Sequence, residues 1–300
     1  MPEATATPAA DSQRVEPDVY TSDYYLSHCQ GYEEFLATGG TAASARVRKA
    51  LALAGDLDGK RVLDVGCGRG ELVLQPAMQG ADAWGIDYAG AAVEIAKDAL
   101  GQAPASLHDR MHVAQMDVKS LVFADAYFDV AFKMDVVEHL YQHELEQAYA
   151  ELHRVLRPGG SLIIHTSPNR VLEERVYPHY VRRWNQAARW LTERFNYKDE
   201  MFNRLMLPVG EEFPHSSWER EMHINPQTLG GLKRDLARHG FRVRRAEFWE
   251  PPLTEPYFRE RLANVELRVF DFLRFLRPIS RHAPLSGLFC NHMWVVAERV

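Results

Sequence analysis

Short apolar runs and longer amphipathic stretches alternate between Arg61 and Pro168. RVLDVG, ADAWGID, MHVAQMD, FDVAFKM and SLIIHTSP are rich in β-branched, aromatic and aliphatic residues, and each predicts a buried strand. The segments between them carry helical spacing. Clearest is the fourth, where Leu145, Ala148, Tyr149, Leu152, Val155 and Leu156 recur on one helix face before Pro158-Gly159-Gly160 stops it. Strands separated by helices require right-handed crossovers, so the pattern predicts an α/β fold with a parallel sheet covered on both faces. The helix after VLDVGCGRG contains Pro76, which removes an amide donor and predicts a kinked or shortened helix.

The flanks read differently. Residues 1–17 are Pro/Ala/Thr-rich without periodicity, which predicts a disordered tail, while the tyrosine-dense stretch that follows predicts a helical cover over 18–57. The core spans 58–168. Residues 169–222 break the alternation and interleave Arg170, Arg175, Arg182, Arg183, Arg189 and Arg194 with Tyr177, Tyr180, Trp184, Trp190 and Phe195, as expected of an insertion that closes over a substrate. Residues 223–300 complete the core, with a helix from an Asn225 N-cap and Pro226, strands at FRVRRAEFWE and HMWVVAERV, and a second insertion at 250–289.

Composition narrows the class. With 300 residues, 46% hydrophobic and 25% charged, the chain is that of an ordinary globular protein, and its net charge of -6 gives no general pull toward nucleic acid or anionic membrane. Cys29, Cys67 and Cys290 lack metal-site or disulfide-scaffold spacing, favouring a reducing compartment. No signal-peptide pattern and no run of about 18 apolar residues is present, so a cytoplasmic location is expected. Over 259–277, Leu262, Val265, Val269, Phe270, Leu273 and Leu276 share one face with arginines elsewhere. Such a helix is compatible with a membrane surface, and packing on the core is the favoured reading.

An open parallel sheet binds ligands beyond the carboxyl ends of its strands. The residues there are Asp64 to Gly70, Asp87, Asp117, and Lys133-Met134-Asp135. Glycines let backbone approach a ligand closely, and Asp87 has the chemistry to accept hydrogen bonds from both ribose hydroxyls. The spacing D-x-G-x-G-x-G departs from the G-x-G-x-x-G of dinucleotide folds.

On these motifs the sequence resembles the class I S-adenosylmethionine-dependent methyltransferases, in particular the group similar to ubiquinone and menaquinone biosynthesis methyltransferases. VLDVGCGRG resembles the family's first motif, GIDYAGAAVEIAKDAL its acidic strand end and helix, and MHVAQMDV its adenine-contacting third strand. FDVAFKMDVVEHL and LHRVLRPGGSLIIHTSPN resemble the fourth and fifth strand motifs. The resemblance implies a Rossmann-like, seven-stranded, mostly parallel sheet whose last strand is antiparallel, with helical lid insertions, and S-adenosyl-L-methionine as cofactor. It places Gly66, Cys67, Gly68 and Gly70 against the methionine part, with Asp64 bracing the loop. Asp87 would hold the ribose, Tyr88, Met116, Asp117 and Val118 would lie at the adenine, and the Lys133-Met134 backbone would pass beside the methionine carboxylate.

The expected acceptor is a small molecule, with oxygen preferred; N- or C-methylation of a small molecule or lipid-like quinol is one alternative, and an RNA-modifying methyltransferase or a non-catalytic nucleic-acid-binding protein is the other, with no nucleic-acid partner expected. Removing a hydroxyl proton needs a base, and His139 in VVEHL is the first candidate, His223 the second. His139 and His143 have a metal-compatible spacing with Asp135 and Glu138 nearby, but a solvated helix start is favoured and no metal is expected. Cys67 is expected to be a packed residue rather than a nucleophile. Tyr24, Tyr25 and Tyr32 are candidates for an N-terminal lid.

Overall fold

The computed structural model describes residues 14–176, 222–249 and 290–300, with isolated positions between 178 and 194 and Gly287. Most of the two expected insertions, and the whole of 259–277, lie outside the described residues, as does the tail before Arg14. Seven strands form one sheet: β1 (Arg61–Val65), β2 (Asp82–Asp87), β3 (Met111–Gln115), β4 (Phe128–Met134), β5 (Leu156–Thr166), β6 (Phe241–Trp249) and β7 (His292–Arg299). Their order is β3-β2-β1-β4-β5-β7-β6. The first five pair in parallel, and β7 runs antiparallel to both β5 and β6.

The described α-helices are α1 (Tyr32–Thr38), α2 (Ala45–Ala54), α3 (Glu71–Met78), α4 (Gly90–Gly101), α5 (Gln142–Val155) and α6 (Leu229–Arg238). Strand alternation splits the core into two layers. Leu63, Val65 and Ala131 face one apolar cluster with Leu145, Tyr149 and Leu152 of α5 and Leu232 and Leu236 of α6. Val62, Val130, Phe132 and Ile163 face the other, with Val47 of α2, Val73 of α3 and Ala96 of α4. Each layer buries its sheet face under helices, as a parallel sheet requires.

Pro76 lies inside α3, which ends two residues later at Met78, as the lost amide donor dictates. The helix expected from Asn225 begins instead at Leu229, capped by the Thr228 side chain, which accepts from Gly231 N–H at 3.0 Å. Asn225 is engaged elsewhere: its side chain donates to Leu140 O at 3.0 Å and its amide to Glu138 O at 3.0 Å. Tertiary hydrogen bonds thus override the local Asn-Pro signal. The Pro158-Gly159-Gly160 stop is a bulge within β5, across which the pairing with β4 shifts register.

Strand β1 is paired with β2 on one side and β4 on the other, which puts the point where strand order reverses at its carboxyl end. Close packing shapes this region. A Cβ on Gly85 of β2 would lie 2.6 Å from Val73 Cγ2 and 2.9 Å from Cys67 Cβ. Lys133, on β4, is fully buried, and its Nζ has no hydrogen-bond partner among the described residues and lies 5.3 Å over the Tyr149 ring. Burial pushes its pKa down to about 7.

Two outcomes follow for stability. Gly85→Ala overpacks the β2–α3 contact and is expected to lower unfolding free energy by ~1–3 kcal/mol in urea denaturation. For Lys133 the folded pKa lies below the unfolded one, so its cost is complete below about pH 7 and shrinks as pH rises toward 10.5. Lys133→Met is expected to raise the urea midpoint, with a gain that is constant below about pH 7 and fades above it.

Candidate functional site

The loop after β1 is built by backbone conformations that side chains disfavour: Gly66, Gly68 and Gly70 have φ of 74°, 48° and 82°. Gly66 and Cys67 amides both donate to Ile86 O, at 2.8 and 2.9 Å, and Gly70 N–H donates to Cys67 O at 2.8 Å. A Cβ on Gly66 would sit 2.4 Å from Val136 Cγ2, so the turn and the β4 loop are in contact. Asp87 closes the arrangement. Its carboxylate accepts Gly68 N–H and Ala89 N–H, each at 2.9 Å.

These loops border one cavity. Among the sequence-predicted residues it is lined by Asp64, Gly66, Cys67, Gly68, Asp87, Tyr88, Met116, Asp117, Val118, Met134 and His139. Gly70, Lys133 and His223 are not part of the lining. Gly70 instead faces α4, where an added Cβ would be 3.2 Å from Ala96 Cβ. Asp64 Oδ1 is buried without a hydrogen-bond partner among the described residues, and burial, then Asp87 and Glu71, push its pKa well up. The loop is braced by the Ile86 carbonyl and Asp87. Asp117 Oδ1 accepts Lys119 N–H at 2.9 Å, capping a turn at the cavity edge. The Cys67 thiol is buried and pushed well above its ordinary pKa by desolvation, unlike a reactive nucleophile.

Sequence reading missed the arginines. Arg69, in the middle of the glycine loop, is buried and donates to Tyr25 O at 2.8 Å, Cys29 O at 3.2 Å, Gln30 O at 3.1 Å and Glu71 Oε2 at 2.7 Å. It fastens the N-terminal segment onto the loop. Tyr20, Tyr24 and Tyr25 of that segment line the cavity, their rings in edge contacts 5.0–5.6 Å apart. Tyr25 also lies beside Asp87 and helps to stabilise its carboxylate. Arg46 of α2 also lines the cavity, paired with Asp135 and donating to Gln30 O at 3.1 Å. An arginine on a separate helix carries no local motif, so only the fold reveals it.

At another part of the cavity wall, the short turn Val137–His139 carries His139. Its Nδ1 lies 3.2 Å from Met222 O, so the ring donates there and Nε2 carries the lone pair. Burial, then the neighbouring His223, pushes its pKa down to about 3, so the imidazole is neutral in any ordinary buffer. The His139 and His223 rings stand 5.0 Å apart, and Tyr20 contacts His139 edge-on at 5.6 Å. Glu138 accepts from Thr166 Oγ1 at 2.8 Å, and burial, then Asp135, raises its pKa to about 8. Glu138, His139 and His223 each present a ligand atom, all within 4.8 Å of one another, and form a candidate metal cluster among the described residues. His143 stays outside it, stacked on Tyr141 at 6.0 Å.

The residues suit an adenosyl sulfonium carrying an amino acid. Asp87 offers acceptors for ribose hydroxyls, the glycine loop admits close approach, unpartnered Asp64 Oδ1 is a buried acceptor for an ammonium, and Arg46 is a cation for a carboxylate. Comparison with known proteins agrees. Residues 63–164 match a methyltransferase domain family. A ubiquinone biosynthesis O-methyltransferase from Brucella ovis is 33% identical over 132 residues, covering 43% of this chain and 50% of that protein. A sterol 4-C-methyltransferase from Caenorhabditis elegans is 32% identical over 103 residues, covering 34% of this chain and 30% of that protein. The chain thus spans about half or less of these relatives. A solved S-adenosylmethionine-dependent methyltransferase from Mesorhizobium loti shares the fold at TM-score 0.52 and 16% identity, covering 86% of this chain and 99% of that one. Residues 63–164 thus carry the match to a methyltransferase domain, and the fold is that of the class I S-adenosylmethionine-dependent methyltransferases.

Proposed function

We propose that this chain transfers the methyl group of S-adenosylmethionine to a small-molecule acceptor, with a hydroxyl oxygen as the acceptor atom. One observation carries the reading: the glycine loop with Asp87 and the imidazole of His139 line the same cavity. When bound, S-adenosylmethionine supplies an already activated methyl carbon, so the protein's main task is to hold the acceptor in line with it. The O-methyltransferase and C-methyltransferase relatives support methyl transfer in general; preference for oxygen rests on the His139 region.

Donor binding falls to the loops. Asp87 would accept the ribose hydroxyls, Arg46 would pair with the carboxylate, and Met116, Asp117 and Val118 would form the wall at the adenine. Tyr20, Tyr24 and Tyr25, fastened by Arg69, exclude water from the reacting centre. On the acceptor side, the Nε2 lone pair of His139 accepts the hydroxyl hydrogen bond and orients the oxygen. A base with pKa about 3 is too weak to keep that proton, and the Glu138 carboxylate, at about 8, is the stronger sink close by.

A second reading rests on the same cluster. A divalent cation held by Glu138, His139 and His223 would polarise the hydroxyl instead.

Calorimetry with S-adenosylmethionine should show one binding site, with no comparable binding of NAD, and Asp87→Ala should weaken the donor by roughly tenfold or more. Binding of NAD alone would end the reading. A labelled-donor assay over phenols, quinols, sugars, amines and carboxylates should give a hydroxyl-bearing product. On that product His139→Ala should lower kcat by ~10²-fold or more with donor affinity kept. Because Glu138 must be ionised to take the proton, kcat/KM should rise with pH through about 8 and then level, and this step should vanish in Glu138→Gln. Loss of turnover on chelation, restored by a divalent cation, would favour the metal reading over the proton sink.

A further inference from the structure

A line of polar side chains runs from the cavity wall into the middle of the sheet. His165, near the end of β5, is fully buried between Met134 of β4 and Trp294 of β7. It follows Leu162, Ile163 and Ile164, and a ring nitrogen buried among such residues is costly unless it meets a partner. Its Nε2 lies 3.0 Å from Nδ1 of His292 on β7, the two rings stacked at 5.1 Å. Its Nδ1 lies 2.6 Å from Asp135 Oδ1, a close approach that is poorly aligned for a full hydrogen bond.

Asp135 is the unusual member. Its φ of 52° is left-handed, a conformation that is strained for a non-glycine residue. It is held from three sides. Its amide donates to His165 O at 3.0 Å, one carboxylate oxygen meets His165, and the other meets Arg46. Arg46 and Asp135 both line the cavity. The neutral tautomer of His165 consistent with its two contacts carries its proton on Nδ1, toward Asp135, and accepts at Nε2 from His292.

We propose that His165, backed by His292, is a positioning residue for donor binding: it fixes the Asp135 carboxylate, which in turn aims Arg46 at the carboxylate of the donor's amino-acid end. The inference rests on reading the cavity as the donor site. Without the ring, the Asp135 carboxylate keeps, among the described residues, its Arg46 contact alone, the left-handed bend loses a restraint, and the guanidinium loses its fixed direction. Arginine recognises a carboxylate through a planar fork, so direction matters as much as charge.

Calorimetry separates this role from simple core filling. S-adenosylhomocysteine carries the carboxylate; 5′-methylthioadenosine has the same nucleoside and lacks it. His165→Leu should weaken S-adenosylhomocysteine about tenfold and leave methylthioadenosine unchanged, the latter also reporting a folded site. His165→Asn, whose amide N–H replaces the Nδ1 donor, should restore most of the loss. In an Arg46→Gln background, His165→Leu should add nothing further. Equal weakening of both ligands by His165→Leu, or additive losses in the double variant, would overturn the positioning role while leaving the donor site intact. Failure of the unaltered protein to bind either ligand would overturn the donor reading itself, and the inference with it.

Discussion

The Asp87 carboxylate sits at the junction of two loops and accepts a backbone amide from each, Gly68 N–H and Ala89 N–H, both at 2.9 Å. Through it the turn after β1 and the turn after β2 become one rigid rim. Desolvation raises its pKa while the amides that point at it lower it, so the charge is tolerated because the backbone solvates it. The left-handed glycines, the shared Ile86 carbonyl and the tight Gly85 contact all serve the same rim. If that junction loosened, the β1 loop and the start of α4 would no longer share a wall.

Around this rim the charged residues do structural and binding work together. Arg69 spends its guanidinium on carbonyls of the N-terminal segment and on Glu71, so the tyrosine cover is attached to the very loop it covers. Arg46 links the same segment, through Gln30 O, to Asp135 at the end of β4. Two arginines from different elements therefore join the cover, the glycine loop and the β4 loop. Among the described residues no helix is long and apolar enough to cross a membrane.

The region around His139 obeys a different balance. Burial drives His139 down and Glu138 up, so both groups favour their neutral forms, close to Lys133, also driven toward neutrality. A site of this kind resists fixed charge until something arrives to compensate it. That property suits either the transient proton of a hydroxyl acceptor or a cation on Glu138, His139 and His223.

The sequence alone determined the frame. Continuous apolar runs and the α5 face specify a two-layered parallel sheet because burial on both faces leaves a local signature, and the D-x-G-x-G-x-G turn marks the carboxyl end of β1 because only glycine occupies those φ values cheaply. Asp87 was legible for the same reason: it ends a strand next to that turn. The tertiary structure alone decided which distant side chains meet. Arg46 of α2, His165 of β5, His292 of β7 and His223 carry no local pattern, and their roles follow from crossovers that bring residues far apart in sequence together at the cavity wall, as Arg46, or behind it, as the three histidines. Asn225 shows the reverse case, a strong local capping signal that lost to hydrogen bonds with Glu138 and Leu140. Local chemistry fixes what repeats along a strand or helix; which lone histidines and arginines converge is settled by packing between elements.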